Sequence, residues 1–200
     1  LFLSMKFNFY KAFAAIFFVF LFACDTNRWE VDINKIAIEQ SYSRFEVDLF
    51  HVVEGGLTLQ ESGELQNKYP AFYPLFVEAI MGFGSYQDPT TNKQLEQFVS
   101  NKYMQELYEK VLEKFPEGAL KKEFSEIKTS FKRFHFYFPN KIIPKIHTMI
   151  SAFNYATATD DSLLAIGFYM YLGVDFDVYY HVGKPMYISN PIANRLSSVA

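Results

Sequence analysis

The pattern of hydrophobic and polar positions divides the chain into an apolar leader, a helical middle and a strand-rich C-terminal third. Ala12 to Phe22 (AFAAIFFVFLF) is apolar without a break and follows Lys6 and Lys11. From Lys35 to Phe50, Ile36 and Ile38 alternate with other residues as in a strand, then Phe45, Leu49 and Phe50 fall at a helical step. Gly55-Gly56 marks a break. Leu57 to Phe83 reads mostly as helix; Pro74 opens a helix to Ile80 or Met81, which Gly82 and Gly84 close. Asp88-Pro89 makes a turn. Thr91 to Phe115 is the clearest helix, with Thr91 and Gln94 at capping-box spacing and a stripe of Leu95, Phe98, Val99, Tyr103, Leu107, Val111 and Phe115. Pro116 and Gly118 stop it. A second helix follows through Leu120, Phe124, Ile127, Phe131 and Phe134, with Lys121, Lys122, Lys128 and Lys132 on a solvated face. These two helices predict a helical hairpin.

Past Pro139 the residues become β-branched and aromatic. Lys145–Tyr155 (KIHTMISAFNY) and Leu163–Leu172 (LLAIGFYMYL) flank the turn residues Thr159-Asp160-Asp161-Ser162 and predict an antiparallel β-hairpin, inside a larger sheet. Pro185 and Pro191 break the remainder, where Ile192 begins a further helical stretch. The predicted fold class is therefore α+β, a helical hairpin packed with an antiparallel β-hairpin or sheet. Residues 1–23 read as leader, 24–34 as tether and 35–200 as one domain, long enough to bury a core.

Cys24 is the only cysteine and directly follows the leader. A basic start at Met5-Lys6, an apolar stretch, a small residue (Ala23) and then the residue at which cutting occurs form the pattern of a lipoprotein signal peptide. Its thiol would carry diacylglyceryl and its new amine a palmitate-type chain. Each buried methylene contributes about 0.8 kcal/mol, so two or three chains anchor a protein durably. A plain secretory signal and a single spanning helix are the alternatives. The run is shorter than the roughly 20 apolar residues a span needs, while Phe22 is bulkier than a lipoprotein signal usually has there.

Composition narrows the partners. The net charge of −3 leaves no basic field for nucleic acid. One cysteine forms no disulfide within the chain. The 23 Phe and 14 Tyr fall at helical or strand spacings, as an aromatic core requires; a ligand platform is the other reading. Motifs for chemistry are missing: there is no His-Glu-x-x-His, no Gly-x-Ser-x-Gly elbow and no phosphate-binding glycine loop. His51, His135, His147 and His181 are far apart. Asp160-Asp161 and Asp175/Asp177 suit turns better than a calcium loop, which needs more alternating acceptors and a final glutamate. No metal, cofactor or catalytic residue is assigned.

The stretch His147–Tyr179 (HTMISAFNYATATDDSLLAIGFYMYLGVDFDVY) resembles the gliding-motility lipoprotein GldB family of Bacteroidota, through its ISAFNYA and LLAIG…MYLG segments. Cys24-Asp25 and Arg44–Phe50 (RFEVDLF) are similar to the family's N-terminal part. The resemblance implies a non-enzymatic, membrane-anchored envelope lipoprotein needed for gliding, in cells that run a type IX secretion machine. It implies a zincin-like α+β fold without catalytic ligands, and a longer chain whose C-terminal portion is missing here. It places an acidic residue before the MYLG segment, where this chain has Tyr169. The expected partners are a membrane, through acylated Cys24, and motility or secretion proteins. Tyr155, Tyr169 and Tyr171 are candidate interface anchors, or half-buried sheet residues. The competing functions are a metallopeptidase relative with ligands beyond residue 200, and an envelope lipoprotein that binds a nutrient or polysaccharide.

Overall fold

A three-residue strand, β1 (Tyr42–Arg44), runs directly into helix α1 (Phe45–Val53), so strand and helix share one stretch of charged and aromatic residues. The structure, a computed structural model, describes residues 31–53, 56–173, 176 and 178–181. The leader, Cys24, Asp175, Asp177 and the region from Val182 onward lie outside the described residues. The elements below belong to the unit Ile36–Ala200. Of the unit Leu1–Lys35, the described residues 31–35 contain a turn in which Asp32 Oδ1 accepts the Asn34 N–H at 3.0 Å.

Helix α2 (Leu59–Lys68) starts at a full capping box: Thr58 Oγ1 accepts the Glu61 N–H, and Glu61 accepts the Thr58 N–H. A helical turn, α3 (Phe72–Pro74), passes at Pro74 into a π-helical segment (Leu75–Ile80). That segment ends near the predicted point, where Gly82 (φ 68°) and Gly84 (φ 101°) take backbone angles that only glycine adopts readily. Helix α4 (Pro89–Ser100) begins at Asp88, whose carboxylate accepts the Thr90 N–H at 2.8 Å, with Pro89 in the first turn. Thr91 therefore does not cap it; its hydroxyl donates to the Ser85 carbonyl at 2.8 Å.

The single helix expected over Thr91–Phe115 is two. Asn101 is extended (φ −65°, ψ 129°) and ends α4, while its side chain accepts the Tyr103 N–H and starts α5 (Lys102–Lys114). The extended residue breaks the helical phase. Tyr103, in the first turn of α5, is exposed, whereas Leu95, Val99, Leu107 and Val111 are buried. Helix α6 (Lys121–Tyr137) follows, burying Phe124 and Ile127.

The C-terminal strands are β2 (Lys145–Met149), β3 (Thr157–Thr159) and β4 (Leu163–Gly167). The sheet order is β1-β2-β4-β3. β2 and β4 are parallel (Ile146 opposite Leu164), which corrects the expected antiparallel hairpin between them. The chain first crosses to the outer edge as β3 and then turns back, so β4 re-enters beside β2 in the same direction. The hairpin is β3–β4, with Thr157 opposite Ile166. Its turn is built as the sequence suggests: Asp160 Oδ1 accepts the Ser162 and Leu163 N–H groups at 2.6 and 3.1 Å. Ile36 and Ile38 lie outside the sheet; β1, parallel to β2, is the N-terminal strand. The mixed α+β class stands.

The aromatic residues make the core. Phe45 is wholly buried and meets Tyr69, Phe72, Tyr73 and Phe76 edge-on at 4.8–6.5 Å. Edge-to-face pairs of this kind add about 0.5–1.5 kcal/mol each beyond the area they bury.

One buried ion pair ties these layers together. Glu46, fully buried in the first turn of α1, accepts from Arg44 Nε at 2.7 Å and from the Thr148 hydroxyl on β2. Arg44 also donates to the Phe115 carbonyl after α5 and lies over the Phe168 ring. Burial raises the Glu46 pKa above the ordinary carboxyl value, while Arg44 and Thr148 pull it back. Removing one partner of such a pair leaves a buried charge without compensation, which costs about 3–5 kcal/mol. Glu46→Ala should therefore destabilise the fold by about that amount in urea unfolding. Arg44→Met with Glu46→Leu should recover most of the loss, and equal destabilisation of single and double variants would contradict the assignment.

Candidate functional site

Residues 150–155, between β2 and the β3–β4 hairpin, make the most unusual backbone of the fold. Ala152 (φ 49°) and Phe153 (φ 65°) are consecutive non-glycine residues in the left-handed region. Each costs roughly 1–2 kcal/mol there, so surrounding contacts must hold the loop. The holding group is Tyr169. The Ser151 hydroxyl lies 2.6 Å from the Tyr169 hydroxyl, which donates to the Tyr155 carbonyl at 2.5 Å. The Tyr179 hydroxyl donates in turn to the Tyr169 carbonyl at 2.7 Å. Burial pushes the phenols of Tyr169 and Tyr179 up to about 12, so both stay protonated and able to donate. Gly167 completes the clamp. A Cβ there would lie 2.8 Å from the Tyr155 carbonyl oxygen and 3.0 Å from the Tyr169 ring, so no larger residue fits without displacement.

This answers where the three candidate tyrosines lie. Tyr169 is fully buried and Tyr171 nearly so, in and after the 3₁₀ turn Phe168–Met170. They are core groups rather than surface anchors. Tyr155 is 46 % exposed, alone of the three on the surface. The sequence position of Tyr169 next to a glycine-ended strand gave the only hint of its clamping role.

The clamped loop forms one wall of an apolar groove of about 820 Å³. Ala152 and Phe153 face Met104 and Leu107 of α5 across it, with Phe176 and Val178 closing one end. A shallower continuation runs past Tyr103, Met104 and Ala152 towards Phe83 and Phe98. Glu106, Glu109 and Lys110 form the charged border on α5. Such a surface suits burial of an apolar side chain or short segment. Tyr103 and Met104, in the first turn of α5 after the break at Asn101, line this surface; sequence periodicity alone missed the break.

The titratable groups elsewhere are structural in their contacts. Ser43 and His147 Nδ1 are 2.8 Å apart across β1 and β2. The His147 ring stacks on Phe72 at 4.8 Å and meets the edge of Tyr69. Tyr69 donates to Asp48, which also pairs with Lys68 at 2.7 Å. Among the described residues no three of His, Cys, Asp and Glu converge to hold a metal ion. Among them, too, no helix is long and apolar enough to cross a membrane.

Burial, with a further push from Lys145, lowers the His147 pKa to about 4 from its ordinary 6.5. The unfolded chain therefore takes up a proton that the folded protein refuses. Stability contributed by neutral His147 is present above pH 6.5 and is lost as pH falls towards 4. His147→Gln removes this dependence. In urea titrations the stability gap between parent and variant should narrow from about pH 6.5 to about pH 4 and stay constant above, while the oppositely signed Glu46 contribution cancels in the difference. A gap independent of pH would contradict the assignment.

Comparison with known proteins follows the same segments. The family model for the gliding motility protein GldB matches residues 26–195, nearly the whole chain after Cys24. No curated protein and no solved structure matches the chain. The protein belongs to the gliding motility protein GldB family, a family of gliding motility lipoproteins.

Proposed function

We propose that this protein is held on a membrane of the cell envelope by acylated Cys24 and supports gliding by binding other motility or secretion proteins, without catalysing a reaction. The family match carries the reading, because it begins at residue 26, just after the lone cysteine that ends the apolar leader. A lipoprotein signal requires that order of leader, cysteine and folded domain. The zincin-like arrangement implied by the resemblance belongs to the same proposal.

The binding surface is the groove between α5 and the 152–154 loop, with exposed Tyr155 following in the same loop. Interfaces gather their energy in a few buried aromatic or apolar anchors set in preformed pockets. A loop locked by Tyr169 and Ser151 gives such a pocket without an ordering cost on binding.

Cys24→Ala should abolish both incorporation of a fatty-acid probe and colony spreading; label retained on the variant, or normal spreading without label, would contradict the anchor. Met104→Glu combined with Tyr155→Ala should leave labelling and the urea midpoint unchanged and reduce spreading to the level of a gene deletion. Wild-type spreading by that folded, lipidated variant would remove the groove from the proposal.

A further inference from the structure

The C-terminal end of α6 and the turn after it expose large apolar side chains where a solvated surface would not. Phe136 is 50 % exposed, Phe138 53 % and Ile142 63 %, and Tyr137 is also on the surface. These residues are continuous along the fold: Phe138 closes the helix through its N–H to the Phe134 carbonyl, and the Lys141 N–H returns to the Phe138 carbonyl at 3.0 Å. They form a blunt tip rather than scattered surface residues.

The charge along the chain through this tip is of one sign. From Lys128 to Lys145 the chain carries Lys128, Lys132, Arg133, Lys141 and Lys145 and no Asp or Glu, within a protein of net charge −3. Lys132 and Arg133 precede Phe136 by four and three residues, which puts them on the same helical face. Lys141 directly precedes exposed Ile142. Among the described residues none of these five cations is in an ion pair. Lys132 and Arg133 also complement the negative end of the α6 dipole. That accounts for neither Lys141 and Lys145, which lie past the helix, nor the exposed rings.

Exposed rings on a cationic stretch of chain match the two chemistries of a lipid headgroup region. Aromatic side chains partition into the interface between water and acyl chains, and lysine or arginine near the surface is attracted to anionic lipid. A protein groove would satisfy the rings but needs a matching acidic partner; an anionic bilayer supplies both at once. We propose that this tip is a second membrane contact, which presses the domain against anionic lipid and sets its orientation relative to the anchor. The inference rests on the lipid-anchored placement argued above, and is separable from it by experiment.

The test uses the full lipidated chain with Trp29→Phe, so that F138W is the only tryptophan reporter, and F136W as a second one. Each is reconstituted in phosphatidylethanolamine–phosphatidylglycerol vesicles whose acyl chains are brominated, and in brominated phosphatidylcholine vesicles. Flotation of the same samples reads the anchor independently. The expected result is blue-shifted, bromine-quenched emission in the anionic vesicles. Quenching should weaken in phosphatidylcholine and be lost on combining K132E, R133E and K141E, with flotation unchanged. Protein that floats while both reporters remain unshifted and unquenched would overturn the membrane contact and leave the anchor intact. Reporters shielded from aqueous acrylamide but unquenched by brominated lipid would show that protein covers the tip, and would overturn it equally.

Discussion

Glu46 is the constraint from which the rest of the arrangement follows. A carboxyl group with no exposure to water must have its partners supplied by the fold. The partners are Arg44 from the preceding strand and Thr148 from the next one. The pair fixes how closely β1 approaches β2 and the angle at which α1 leaves the sheet. Arg44 then extends the constraint to the end of α5 and to the turn containing Phe168. The apolar residues around it supply most of the folding energy but little directionality. Rings such as Phe45 and Phe72 pack in several ways, whereas a buried ion pair has one satisfied geometry.

That geometry reaches the groove through two short steps. Arg44 holds the end of α5, one wall, and lies over Phe168, whose neighbour Tyr169 clamps the other wall. Both walls are thus referred to the same buried charge. The left-handed angles at Ala152 and Phe153 persist because Tyr169 and Ser151 leave the loop no relaxed alternative that keeps both hydroxyls satisfied.

Parts of this were legible in the chain and parts were not, for distinct physical reasons. Local rules worked where the answer is local. Asp160 was read as a turn residue, Gly82 and Gly84 as the end of a helical segment, and Lys121, Lys122 and Lys128 as a solvated face. Asn101 escaped notice because a single extended residue inside an otherwise regular stripe alters the phase without altering the composition. The parallel pairing of β2 and β4 was hidden for another reason. Two strands joined by a few turn residues suggest a hairpin, and only the three-residue strand β3 at the sheet edge reverses the sense. For Tyr169 and Tyr171 the sequence leaves interface anchors and half-buried sheet residues both open, because aromatic residues after a strand look alike whether they cap the core or face water; both are buried. Burial of all five residues of β4 shows that the alternation expected of a half-exposed hairpin is absent there. Cys24 is the reverse case: its reading comes from the order of leader, small residue and thiol, which no fold is needed to recognise.

The division of labour that results is visible among the described residues, where the polar groups of the core converge inward. Glu46, Thr148, Tyr169 and Ser151 complete one another's hydrogen bonds inside the core, and His147 is held neutral beneath two rings. Large apolar side chains are also presented outward, in the groove lined by α5 and residues 152–153 and in the rings at the end of α6. Under the anchored placement proposed above, tethering would confine partners to a thin layer and raise their effective concentration, so that modest apolar surfaces would suffice for contact.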